Sequence, residues 1–107
     1  MFSRSNRLSR EEVSNTIRYG SVTHTPLFSI RVLNKVEIPH FKCAFVISKK
    51  ELKLSVDRNR AKRKARMALR EISTQLSPVY FVVFPKKIIL KTDFKEIVEE
   101  FKKAFRL

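Results

Sequence analysis

Between positions 58 and 70 the chain carries seven basic side chains and no acidic one. They stand in Arg58-Asn59-Arg60-Ala61-Lys62-Arg63-Lys64-Ala65-Arg66, followed by Arg70, with Ser48-Lys49-Lys50 seven residues upstream. A solvated helix face ordinarily mixes both signs, so an unbroken run of one sign reads as a surface built for an anion. Arginine dominates here, and its planar fork pairs bidentately with phosphate and stacks on bases, which lysine cannot do. On a helix, Asn59, Arg63, Arg66 and Arg70 fall on one side at i, i+4, i+7 and i+11, with Lys62 beside them. Adjacent arginine rungs repel unless an anion lies against them. Asn59 has a donor and an acceptor for a ribose hydroxyl or a phosphate, and stands equally well as a plain surface residue.

Covalent chemistry has far less to work with. A protein phosphodiesterase needs clustered carboxylates to hold metal ions. The densest here, Glu96, Glu99 and Glu100, fall on the side of a helix opposite Phe94, Ile97 and Phe101. His40-x-x-Cys43 supplies two ligands at most, and Cys43 alternates inward on a strand, as a core residue does. Ser48 has no candidate base, so no triad is formed. The expectation is no catalytic residue and no metal site on the polypeptide.

Composition sharpens the picture. The chain has 107 residues, 24 Lys plus Arg against 10 Asp plus Glu, and a net charge of +14. Nine Phe and 43% apolar residues suffice for one packed domain over 1–107. The one cysteine excludes an intramolecular disulfide, and the one glycine, Gly20, excludes Gly-rich phosphate loops. No apolar run approaches a membrane span, and the polar start Met1 to Leu8 does not read as a signal peptide. A reducing, cytoplasmic setting fits. Residues 42–70 hold eleven basic and two acidic groups, a net of +9, so most of the excess charge sits in 29 residues. The partner implied is a polyanion: RNA, DNA or an acidic membrane surface.

The elements that must position these residues follow from periodicity. Ser9 and Glu12 form a capping box that starts a first helix, with Leu8 and Val13 at the staple positions and Ile17 one turn on. Gly20 reads as its left-handed stop. Leu27 to Leu33 alternates as a strand, with Phe28, Ile30 and Val32 on one face. Phe41 to Ser48 reads as a second strand, and the short connection predicts an antiparallel hairpin with the first. A long helix from Ser55 to Leu76 carries the stripe Ala61, Ala65, Ala68, Leu69, Ile72 and Leu76. Val79 to Phe84, apolar on both faces, is a central strand ended by Pro85. A last helix begins near Asp93, with Asp93 and Glu96 as a second capping box and Phe94, Ile97, Val98, Phe101, Ala104 and Phe105 as its apolar face. The fold class is α+β, a small mixed sheet in the order α-β-β(-β)-α-β-α.

The composite motif resembles the signature of the bacterial ribonuclease P protein component, an Arg-Asn-Arg followed by x-Lys-Arg-x-x-Arg. Arg58, Asn59, Arg60, Lys62, Arg63 and Arg66 match all six positions, and Ser48-Lys49-Lys50 also matches. Asn6-Arg7-Leu8, Gly20, Leu27-Phe28 and the order of elements extend the likeness over essentially the whole chain. The chain departs in three places. The family usually has six residues including a glycine between Ser-Lys-Lys and Arg-Asn-Arg, whereas Glu51 to Asp57 is seven without one. The family's aromatics are also missing at the Val13 and Arg31 positions.

The resemblance implies a subunit of the ribonucleoprotein endonuclease that removes the 5′ leader of precursor tRNA, with hydrolysis carried out by a catalytic RNA and its magnesium. It implies RNA binding through Lys49, Lys50, Arg58, Asn59, Arg60, Lys62, Arg63, Arg66 and Arg70. It also implies a leader-binding cleft over Val13, Ile17, Tyr19, Phe28 and Arg31, and a left-handed βαβ crossover, against the usual hand. The alternative is a non-enzymatic RNA-binding module such as a ribosomal protein or RNA chaperone. A DNA-binding factor lacks its helix-turn-helix pair.

Overall fold

The computed structural model describes residues 4–34 and 37–107. The start of the polar N-terminal stretch, Met1-Phe2-Ser3, and Lys35-Val36 in the predicted loop lie outside them. Three α-helices and four strands alternate along the chain as α1 (Arg10–Tyr19), β1 (Ser21–His24), β2 (Phe28–Leu33), β3 (Lys42–Phe45), α2 (Ser55–Glu71), β4 (Tyr80–Pro85) and α3 (Phe94–Ala104). Short 3-10 turns follow α2 (Ser73–Gln75) and β4 (Lys87–Lys91).

The sheet order is β1-β2-β4-β3. β1 and β2 pair antiparallel, β2 and β4 pair antiparallel, and β3 pairs parallel with β4, so β3-α2-β4 is the crossover unit. The expected hairpin between β2 and the 41–48 strand does not form. β4 lies between them because Phe81, Val82 and Val83 are all fully buried and need cover on both faces. The hairpin partner of β2 is β1, whose four residues are all exposed and give no buried-face alternation to read. The β3 strand is also shorter than expected, ending at Phe45. Its outer edge is covered by the chain start, where Leu8 N–H donates to the Cys43 carbonyl at 3.1 Å.

The register sorts side chains between two layers. Phe28, Ile30, Cys43, Phe81 and Val83 point into the main core with Ala61, Ala65, Ala68, Leu69 and Ile72 of the long helix and Ile97 and Phe101 of α3. Phe28 stacks on Phe101 at 4.3 Å between ring centroids, and Phe105 meets Phe81 edge-on at 5.0 Å. The alanines of α2 let its backbone approach the sheet closely. Arg31, paired with Val82, and Leu33, paired with Tyr80, face the opposite layer, where α1 lies.

Local signals are partly redirected by this packing. The Ser9–Glu12 box forms reciprocally, at 3.1 and 2.8 Å. Gly20 ends α1 with φ −78, not in the left-handed region. Close approach demands the glycine instead, since a Cβ there would stand 2.5 Å from the Thr16 carbonyl oxygen and 2.9 Å from that of Val32. Asp93 is the N-cap of α3, but its side chain makes no capping bond. Phe94, expected on the apolar face, is exposed in the first turn of that helix. The long helix ends at Glu71 rather than Leu76, because Ile72 turns into the 3-10 segment and stays buried there.

Candidate nucleic-acid interface

The outer face of α2 gathers the basic run. Asn59, Lys62, Arg63, Arg66, Met67 and Arg70 line one depression along it. Asn59, Arg63, Met67 and Arg70 are exposed and Lys62 and Arg66 half-buried. Four cationic heads and one amide thus lie on one surface, with no carboxylate among the lining residues. Arg66 is steadied by the Phe45 ring, its guanidinium carbon 5.5 Å from the centroid, a cation–π contact across to β3. Phosphates in a row are what such a surface can hold.

The remaining motif residues divide by role. Arg58 donates from Nη1 to the carbonyls of Leu52 at 2.9 Å and Lys53 at 2.7 Å. It therefore anchors the seven-residue connection, three residues of which, Ser55 to Asp57, already belong to α2. Arg60 is exposed and reaches Asp57 at 3.9 Å, so the basic run does meet one acid at its start. Lys64 turns away from the depression and donates to the Leu90 and Thr92 carbonyls at 3.1 and 3.0 Å, tying α2 to the segment before α3. Lys49 and Lys50 are exposed in a turn that begins four residues past the end of β3. Ser48 closes that turn, accepting the Glu51 N–H on its carbonyl at 3.2 Å.

The second group lies on the α1 side of the sheet, with one exception. Val13 and Ile17 are half-buried on α1, and Arg31 donates from Nη1 to the Ile17 carbonyl at 2.7 Å. Tyr19 is 64% exposed, with the Arg18 guanidinium 5.5 Å from its ring centroid. Phe28 is the correction. It is fully buried on the other face against Phe101 and can touch nothing on the α1 side. Strand alternation already placed Phe28 opposite Arg31, so the two could not share a face.

The aromatics that do face α1 come from β4, as Tyr80 and half-buried Phe84, which pairs with Ser29. The even-numbered positions of that strand carried the signal, hidden by its being apolar on both faces. Tyr80 donates its hydroxyl to Glu12 Oε2 at 2.7 Å, and Lys42 of β3 approaches the same oxygen at 3.6 Å. The Ser9 N–H bond, then the Tyr80 hydroxyl, hold the Glu12 carboxyl below its ordinary pKa, with Lys42 adding to this. The same bond raises the Tyr80 hydroxyl. One carboxylate thus joins α1, β4 and β3.

No group of three or more His, Cys, Asp or Glu able to hold a metal ion occurs among the described residues. Cys43 is buried, and burial pushes its thiol up to about 12. His40 lies against the Phe41 carbonyl at 3.1 Å. Among the described residues no helix is long and apolar enough to cross a membrane.

Comparisons with known proteins bear on this arrangement. The family model described as Ribonuclease P matches residues 2–107. A ribonuclease P protein component of Vibrio parahaemolyticus is 32% identical over 99 residues, covering 92% of this chain and 83% of the relative. That of Photorhabdus laumondii is 34% identical over 70 residues, covering 65% and 59%. Among solved structures, the ribonuclease P protein of Staphylococcus aureus superposes with a TM-score of 0.79 at 19% identity over 94% of this chain and 93% of that one. That of Thermotoga maritima gives 0.77 at 20% over 94% and 96%. On this footing, with the whole basic motif and the mixed sheet in place, the chain belongs to the ribonuclease P protein family, the protein component of a ribonucleoprotein endonuclease.

Proposed function

We propose that the chain binds the catalytic RNA of ribonuclease P through the outer face of α2 and assists removal of the 5′ leader from precursor tRNA. The observation that carries this reading is the depression lined by Asn59, Lys62, Arg63, Arg66 and Arg70. Each phosphate seated there relieves repulsion between neighbouring cations and releases condensed counterions, so affinity falls steeply with salt. With six to ten phosphate contacts the loss is about 10³–10⁵-fold between 50 and 200 mM salt. Lys49 and Lys50, on the turn leading into α2, extend the contact.

The leader lies along the α1 side of the sheet. Phe84 supplies there the stacking surface that Val13 and Arg31 do not, and Arg18 with Tyr19 flanks the end of α1. Stacking on an aromatic is worth about 1–3 kcal/mol per base. Arg31 is held to the Ile17 carbonyl and positions α1 more than it reaches for substrate. Hydrolysis belongs to the RNA subunit and its magnesium. The polypeptide neutralises phosphate charge so that the RNA closes at lower magnesium. A reducing cytoplasm is the setting that suits its lone thiol.

The test mixes the protein with ribonuclease P RNA and precursor tRNA at low magnesium. The expected result is stimulated 5′ cleavage, lost with Arg63→Ala. Absence of stimulation with the cognate RNA, together with co-sedimentation with ribosomes, would favour the non-enzymatic RNA-binding module.

A further inference from the structure

The arginine face contains one side chain that phosphate chemistry does not explain. Met67 is 51% exposed and lies among the lining of the basic depression, with Arg63 one turn before it and Arg70 one turn after. Every other lining residue ends in a charged or amide group. The buried stripe of α2 runs along another side, through Ala61, Ala65, Ala68 and Leu69, and Met67 is not part of it.

A helix presented only to a phosphate row would be served as well by a polar residue here. The thioether is unbranched, polarizable and able to spread against a flat ring. Arg63 and Arg70 neighbour it along the helix, and Met67 stands exposed beside them. Charge complementarity restricts the occupant to an anionic partner, and an apolar side chain among the cations favours a partner that presents a flat, uncharged surface beside its phosphates. In a regular duplex the bases are stacked inside and only sugar and phosphate meet such a face. An unpaired nucleotide turned out of its helix meets both requirements.

We infer that Met67 is the seat for a single unstacked base of the bound RNA, with the adjoining phosphates held by Arg63 and Arg70. The inference rests on the proposed RNA-binding role of α2 and adds to it a preference for a bulge or loop nucleotide over plain duplex. In this arrangement the arginines supply most of the affinity and its salt dependence. Met67 supplies discrimination between an extruded base and a continuous helix.

The experiment measures binding of the full chain to ribonuclease P RNA, and to a plain RNA duplex, across a salt series. Met67→Ala and the length-matched Met67→Gln are expected to weaken binding to ribonuclease P RNA by about 2- to 10-fold. Neither should change the slope of log affinity against log salt, since neither removes a phosphate contact. Binding to the duplex should not move, and Met67→Phe should retain or tighten binding to the ribonuclease P RNA. Arg63→Ala, by contrast, should weaken both RNAs and reduce the slope by about 1. Chemical probing should find one unpaired base that the wild type protects and that Met67→Ala leaves reactive. Unchanged affinity in Met67→Ala and Met67→Gln, or an equal loss on duplex, overturns the inference while the effect of Arg63→Ala upholds the wider reading. No effect from either Arg63 or Met67 overturns both. Met67 is exposed, so matching thermal midpoints should accompany every Met67 variant.

Discussion

Arg58 and Arg63 have the same side chain, sit in one motif, and do different things. The Arg58 guanidinium satisfies two loop carbonyls, while Arg63 stands exposed in the depression. Hydrogen bonds from a charged donor contribute about 1.5–3 kcal/mol, and partial exposure places Arg58 at the lower end. Arg58→Ala should therefore lower unfolding stability by about 1–2 kcal/mol, read by urea titration. Arg63→Ala should leave the urea midpoint unchanged or slightly raised, because like-charge repulsion along the face is relieved. If Arg63→Ala destabilises as much as Arg58→Ala, the exposed ladder is structural. The sequence could not separate the two. Spacing along a helix places side chains on faces, but the partner of Arg58 is a loop whose path depends on the tertiary fold. Phe28 fails in the opposite direction. Its alternation was readable and put it in the core, yet family likeness assigned it to the cleft, and geometry decides for the core.

The docking of α1 on the sheet runs through Glu12, which makes it titratable. In the folded state the Glu12 carboxyl titrates below its ordinary value of 4.5. A depressed carboxylate contributes stability that is fully present above its unfolded pKa and lost as pH falls through the folded value. Tyr80 shifts upward from 10.0, so its contribution is present below that value and lost as pH rises through the folded one. One hydrogen bond thus weakens at both ends of the scale. Thermal midpoints should show Glu12→Gln less stable than the wild type at neutral pH, with the gap closing as pH drops below about 4.5. Tyr80→Phe should remove the alkaline loss attributable to this bond. A constant gap across the acid range would show that Glu12 acts by packing alone. The capping half of this device was legible, since Ser9 and Glu12 are local. The half that reaches Tyr80 and Lys42 spans most of the chain and depends on a sheet order, β3 beside β4, that the short connection after β2 argued against. β1 escaped for a related reason, since an exposed edge strand has no buried face to mark it.

Across the whole molecule, a phenylalanine core opposes a strong self-repulsion. The net charge is +14 in a body with a radius of gyration of 12.9 Å. Only three ion pairs occur among the described residues, all at separations of 3.4 Å or more. Repulsion of this kind is screened by salt, with a Debye length of about 30 Å at 0.01 M and about 3 Å at 1 M. Folding of this chain should therefore become more favourable as salt rises, while RNA binding becomes weaker. The core sets how much repulsion is tolerated. Phe101 is fully buried against Phe28, and truncation of such a ring costs about 3–5 kcal/mol. Domain stabilities are about 5–15 kcal/mol in total, so Phe101→Ala should be near its folding limit at 10 mM salt. Thermal scans should find it partly unfolded there and folded at 500 mM salt, with the wild type folded in both and its midpoint rising with salt. Ribonuclease P RNA at low salt should restore the variant too, because a ligand bound only to the folded state adds stability as RT ln(1 + [L]/Kd). A midpoint that falls with salt in both proteins would show that repulsion is not the opposing force. In that case the basic face would cost the fold little, and the core would have stability to spare.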